Sequence, residues 1–247
     1  MVITLGDELV WIEECHPVDA PDLEHKHVSV FVLGTDQPVL VDSGSFLHRS
    51  AIAEQVESLT ADGSLAALVL SHSDYPHAAN VRTFVEDGAE LVASSGSPAQ
   101  QGLPDATKCE IGGEMTVAGR RMSFIDPPLA DRSHTTWIFD HGTSTLFTAD
   151  GFGSRHRPDQ CAATSRDFED GISPGAIEGF HRHELPWLRY VDPERLRAAL
   201  VTIIDEFEPD WIAPCHGHPI AGEDVPDYLD ALIDGAEAIA ADRHQSS

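Results

Sequence analysis

The chain has 247 residues, 42 of them acidic and 15 basic, for a formal net charge of −27 at pH 7. So acidic a balance excludes a nucleic-acid ligand, because too few cations exist to neutralise phosphates; no apolar run reaches bilayer length, which excludes a membrane span. With 41% hydrophobic residues interleaved among the acids, the chain reads as one folded domain over 1–247, cytoplasmic, wearing a dispersed acidic shell of the halophilic kind.

Residues 2–14 alternate in the manner of one or two short strands. HVSVFVLG at 27–34 and PVLVDSG at 38–44 read as paired strands around a turn at 35–37. Ile52, Val56 and Leu59 give 46–59 helical spacing. LAALVLSHSDYPHAAN at 65–80 begins as a buried strand and ends in His72, Asp74 and His77. A strand that runs into such side chains sets a metal on a rigid edge. His72 and Asp74 are two apart and share one side of an extended backbone, and imidazole mixed with carboxylate suits zinc, iron or manganese. Alone, the stretch also fits a polar loop with incidental histidines.

A helix is expected over 77–86, with Pro76 at its first turn, then a strand at 90–94 and a loop over 96–107. Short strands follow at 108–111, 114–118, 121–126, 135–140 and 144–148. Residues 153–175 lack periodicity and read as a long excursion; 176–190, with His181, His183, Trp187 and Tyr190, read as partly helical. The clearest helix is 192–207, capped by Asp192, with Pro193 at its first position and Leu196, Leu200, Ile203 and Phe207 on one face. A short strand at 211–214 runs into CHGHP, a last helix covers 226–241, and QSS is a frayed end. Two batches of strands with helices around each fit two packed sheets better than one parallel sheet.

Cys15, Cys109, Cys161 and Cys215 are far apart and form no CxxC pair, so all four read as packing residues. The candidate ligands recur beside strand ends. His72, Asp74 and His77 follow one strand, His134 precedes TTWIFD, Asp150 follows LFTA and His216 follows WIAPC. Each has a dull explanation as a solvated loop residue or turn former; their joint placement is what points to a metal.

The order HSDYPH, His134, FTADGFG, APCHG resembles the metallo-β-lactamase fold over roughly residues 27–220. The resemblance implies an α/β (α+β) αββα four-layer sandwich. Asp74 stands where the oxygen-binding di-iron branch, which includes the flavodiiron proteins, has a carboxylate in H-x-E-x-D-H. It implies a first metal on His72, Asp74 and His134, and a second on His77 and His216, with Asp150 bridging and acting as the catalytic residue. Asp42 matches a buried family Asp that orients the ligand loop; His25 and His27 read as surface residues. Pro76 replaces a family metal-binding Asp and offers no ligand, so full occupancy is expected at the first position and weaker occupancy at the second.

The resemblance implies iron, one or two ions, with zinc or manganese as alternatives. Dioxygen or a small molecule would be the substrate, an electron-donor protein a partner, and homodimerisation a family habit. A metal-dependent hydrolase is the alternative, since a bound metal lowers the pKa of water from 15.7 to about 7; a degenerate, non-catalytic metal binder is a third. The excursion over 153–190 is expected to lid the pocket, with Trp187 and Tyr190 shaping selectivity.

Overall fold

Most strands of this chain are apolar on both faces, so each must be covered on two sides. The computed structural model, which describes residues 1–18, 24–60, 63–94, 96 and 105–242, does so with two stacked sheets and helices outside both. The first sheet runs in spatial order β1 (Val2–Gly6), β2 (Leu9–Ile12), β5 (Val30–Leu33), β6 (Val39–Val41), β7 (Ala67–Val69), β8 (Glu90–Ser94), β9 (Thr107–Cys109). Its pairs are antiparallel as far as β6 and parallel from β6 to β9. The second runs β10 (Glu114–Val117), β11 (Arg120–Ile125), β12 (Trp137–Asp140), β13 (Thr145–Phe147), β14 (Trp211–Ala213), β15 (Ile220–Ala221). Only β13 and β14 are parallel there. A separate ribbon pairs β3 (Cys15–Pro17) with β4 (His25–His27).

Strand parity sorts the core into three layers. Trp11, Phe31, Val41 and Val69 face inward and meet Met122, Phe124, Ile138 and Phe147 of the opposite sheet. The alternate residues Ile12, Val32, Leu40 and Leu68 face α1 (Arg49–Leu59) and, beyond the four-residue α2 (Tyr75–Ala78), α3 (Val81–Glu86). On the far side Trp137, Phe139, Leu146 and Ile212 meet α4 (Pro174–Glu184), α5 (Pro193–Phe207) and α6 (Val225–Ala241). The result is the expected αββα sandwich. A slip of one residue would exchange inner for outer side chains along a whole strand, at about 1.5–3 kcal/mol for each large apolar group exposed.

The chain leaves parallel strands β6, β7 and β8 at one edge of the first sheet, and parallel β13 and β14 at one edge of the second. Asp42, His72, Asp150 and His216 all follow these strand ends. Such carboxyl ends are where sites form in sheets of this kind. A cleft of about 880 Å³ opens at the strands' opposite ends, near Leu5, Glu8, Thr143 and Trp211, and no histidine among the described residues lines it.

Several expectations need correction. The strand expected over 27–34 is two elements: Ser29 N donates to Cys215 O at 2.9 Å, and His27 belongs to the ribbon. His27 is fully buried, not on the surface. The helix expected over 77–86 breaks at Asn80, whose amide donates to Ser43 O at 2.8 Å and Ser45 O at 2.9 Å and anchors the chain across the sheet edge. Trp187 packs into the helical-side core and Tyr190 is 71% exposed, so neither shapes the site. The loop over 96–107 and the frayed end at 245–247 lie largely or wholly outside the described residues. Among those residues no helix is long and apolar enough to cross a membrane. Helix α5 is as expected: Asp192 Oδ1 accepts from Glu194 N at 3.1 Å and Pro193 opens the first turn.

His181 lies inside α4, buried, its Nδ1 donating to Ile177 O at 2.8 Å. Burial pushes its pKa from 6.5 down to about 4. The unfolded chain therefore takes up a proton near pH 6.5 that the folded chain refuses until about pH 4. This contribution is present in full above that window and is lost as pH falls through it, by up to about 1.4 kcal/mol per pH unit. Denaturant titrations across the window should find His181→Gln less acid-sensitive than the parent by a comparable slope; identical slopes would contradict the assignment.

Candidate metal centre

Asp42 leaves β6 with a φ of 60°, a left-handed conformation that only its contacts make tolerable in a non-glycine residue. Oδ1 accepts from Ser71 N at 2.8 Å, and Oδ2 accepts from Ser71 Oγ at 2.7 Å. The same Oδ2 lies 2.7 Å from His77 Nδ1, which donates to it. That bond fixes the ring: the proton sits on Nδ1, and Nε2 points to Asp150 Oδ1 at 3.0 Å.

His216 is fixed in the same way from the opposite sheet. Its Nδ1 donates to the backbone carbonyl of His27 at 2.6 Å, so its Nε2 faces Asp150 Oδ1 at 3.3 Å. Two imidazole Nε2 atoms therefore converge on one carboxylate oxygen. Neutral rings would aim two lone pairs at an anion. The geometry is favourable only if the rings are protonated or a cation lies among the three groups.

The Asp150 turn is itself constrained. Ala149 has φ 50° and Phe152 φ 60°, and Thr148 Oγ1 donates to Gly151 O at 2.8 Å. Cys215 N donates to Ala149 O at 2.9 Å and Ser154 N to His216 O at 3.0 Å, tying this turn to the loop after β14. Gly217 fits there because a Cβ would come within 3.0 Å of Phe152 O and Ser154 N.

His72 is 2% exposed, its ring centroid 3.8 Å from that of His77. Its Nε2 lies 3.6 Å from Asp131 Oδ2, and its Nδ1 has no hydrogen-bond partner among the described residues. His72, His77 and Asp150 offer ligand atoms within 4.8 Å of one another, and His72, Asp74 and Asp131 do likewise. Asp131 escaped the sequence reading. The available signal was DRSH, a carboxylate three residues before His134 in the same turn.

The other two expected ligands stand at the rim. Asp74 caps α2, accepting from Tyr75 N at 2.8 Å, and pairs with Arg132 at 2.9 Å on the surface. His134 is half-buried, its ring centroid 6.0 Å from that of His72. The structure thus gathers His72, His77, Asp150 and His216 closely, with Asp74 and His134 looser beside them. His183 is exposed, and His218 donates to Ala163 O at 2.8 Å, away from the centre.

The electrostatics follow from burial and crowding. Burial opposes the Asp150 charge, yet His216, His77 and His72 together hold its carboxyl far below the usual range. Burial also opposes charge on His77, but Cys215, Asp42 and Asp150 hold its pKa above the ordinary value. Burial and the neighbouring His77 push His72 down. Asp131 is pushed up by burial and then by Asp150. Cys215 is buried, as expected of a packing residue, yet its thiol lies among His216 and His77, which against the effect of burial bring it down to about 7. Oxygen and imidazole donors around an already negative Asp150 suit a divalent first-row ion.

A family model described as "ODP family beta lactamase" matches residues 26–217. The chain is 24% identical over 137 residues to "Putative diflavin flavoprotein A 3" of Nostoc sp. (strain PCC 7120), covering 52% of this chain and 24% of that protein. It superposes on a flavo di-iron protein mutant from Thermotoga maritima with a TM-score of 0.77 at 13% identity, covering 96% of this chain and 61% of that one. For rubredoxin oxygen:oxidoreductase from Desulfovibrio gigas the TM-score is 0.75 at 15% identity, covering 96% and 62%. The chain therefore spans about a quarter of the curated relative's length and about three fifths of each solved structure. At such identities the solved structures establish the fold.

Asp42→Asn would turn an amide N–H toward His77 Nδ1 and remove the charge that fixes the ring. Metal affinity, measured by chelator competition, should fall about 10–100-fold; unchanged affinity would contradict this role for Asp42.

Proposed function

This chain belongs to the family described as ODP family beta lactamase, and from that premise we propose that it is a non-haem iron protein that binds or reduces dioxygen with electrons from a separate donor. The observation that carries the reading is the convergence of His77 Nε2 and His216 Nε2 on Asp150 Oδ1, with both tautomers set from behind. A bridging carboxylate between histidines, with Asp74 and Asp131 near His72, is a donor set rich in oxygen, which favours iron over zinc. The names of the flavo di-iron and rubredoxin oxygen:oxidoreductase structures support the same direction.

In this proposal His72, Asp74, His134 and Asp150 hold a first ion, with Asp131 as a further carboxylate beside it. His77, His216 and Asp150 hold a second, more weakly, because Pro76 supplies no side-chain oxygen. Iron held there supplies a one-electron centre with exchangeable positions. The protein's own part is orientation. Asp42 holds His77, the His27 carbonyl holds His216, and the strained turn over 148–152 holds Asp150. Arg132 at the rim offsets Asp74. Pro76 also counts against the hydrolytic alternative, since a carboxylate at that place would help to orient an attacking water. We further propose that residues 1–247 work as one such domain.

Anaerobic reconstitution with ferrous iron should give one tightly held ion and a second of lower affinity. Pro76→Asp should tighten the second. Oxygen should then change the visible spectrum of the loaded parent, with sustained uptake only when a reductant is added, and His72→Ala should lose both responses. A protein that, after ferrous loading, stays colourless and inert toward oxygen would overturn the reading.

A further inference from the structure

Away from this centre, four metal-binding side chains meet where the β3–β4 ribbon touches the excursion after β13. Cys15 and His25 come from the ribbon, and His156 and Cys161 from the excursion. Cys15 Sγ and Cys161 Sγ are both free thiols, 2.7 Å apart, farther than the ~2.05 Å of a disulfide. His25 Nδ1 lies 3.2 Å from the first sulfur and 3.3 Å from the second. All four residues offer a ligand atom within 4.8 Å of one another.

His156 is the second, independent sign. It is 4% exposed, yet neither ring nitrogen has a hydrogen-bond partner among the described residues. A buried imidazole without a partner is costly. Its backbone is not loose either: His25 N donates to His156 O at 2.7 Å and His156 N to His25 O at 3.1 Å. The ring is stacked on His27 at 3.9 Å, which fixes its plane but satisfies neither nitrogen.

We propose that Cys15, His25, His156 and Cys161 form a structural zinc(II) site that staples the ribbon to the excursion. Tetrahedral zinc, with bonds of about 2.3 Å to sulfur and 2.0–2.1 Å to nitrogen, sets its ligands roughly 3.3–3.8 Å apart. Both sulfur–nitrogen separations are already close to this, and the sulfurs need to part by about 1 Å. Two thiolates neutralise the dication, so the half-buried site carries no net charge. The need is plain in the fold: a ribbon with three residues per strand is not stable alone, and a metal staple supplies what its core lacks. The ribbon also carries the His27 carbonyl that orients His216, so the staple supports the metal centre from behind. The proposal stands independently of the iron reading, which uses none of these four side chains.

Cobalt(II) substitution of the intact chain tests it, because thiolate ligation gives near-ultraviolet charge-transfer bands and strong visible bands of a tetrahedral ion. The bands should appear in the parent and in Cys215→Ala, which removes the sulfur near His216. They should vanish in the Cys15→Ser, Cys161→Ser double variant, with one metal ion fewer per chain. X-ray absorption at the zinc edge of the parent should fit two sulfurs and two nitrogens. Bands absent from the parent, bands that persist in the double variant or are lost in Cys215→Ala, or a Cys15–Cys161 disulfide in the purified chain by non-reducing mass spectrometry would each overturn it. Should the double variant fail to fold, the parent spectra and the Cys215→Ala comparison still decide.

Discussion

The structure depends on one constraint: two buried imidazoles are each fixed at Nδ1, so that their Nε2 atoms must face the same carboxylate. Asp42 does this for His77 from the first sheet, and the His27 carbonyl does it for His216 from the β3–β4 ribbon. Neither partner is free to relax. Asp42 is itself held by two donors from Ser71 at a left-handed backbone position, and His27 is buried in the ribbon. Rotating either ring to relieve the crowding at Asp150 would break a buried hydrogen bond, at about 1–3 kcal/mol. A cation among the three groups, or protonation of the rings, would remove the conflict with those bonds kept.

This arrangement explains why two sheets are needed rather than one. Asp42, His72 and His77 come from the edge of the first, Asp150 and His216 from the edge of the second. The inter-sheet core of Trp11, Phe31, Phe124 and Phe147 sets their separation. Close-packed interiors transmit small displacements, so substitutions in that core should be felt at the centre. The ribbon and its cysteine–histidine cluster add a third tie, from the excursion back to His27.

Much of this was legible in the sequence, because its causes are local. Short apolar runs bounded by turn residues marked the strands, and their arrival in two batches with helices around each pointed to two packed sheets. The Asp192–Pro193 pair announced α5, and candidate ligand side chains beside apolar runs marked the strand ends near which His72, His77, Asp150 and His216 converge. What was missed is long-range. Asn80 breaks its helix through bonds to Ser43 and Ser45. Cys15 and Cys161 are 146 residues apart and met only because the ribbon folds onto the excursion, so reading them as packing residues followed from spacing alone. Asp131 shares a turn with His134, but its approach to His72 depends on how the two sheets stack. Asp74 points to Arg132 because it also caps α2, a competing use that its place in the motif does not reveal.

The most direct measurement of the central claim is a crystal structure of iron-loaded protein with anomalous data collected on both sides of the iron absorption edge. The account predicts a strong iron peak beside His72, Asp74, His134 and an Asp150 oxygen and a weaker one within coordination distance of His77 Nε2, His216 Nε2 and Asp150, with the Asp42 and His27 hydrogen bonds intact. Iron at neither position, or His77 and His216 turned away from Asp150 with no ion between them, would contradict it.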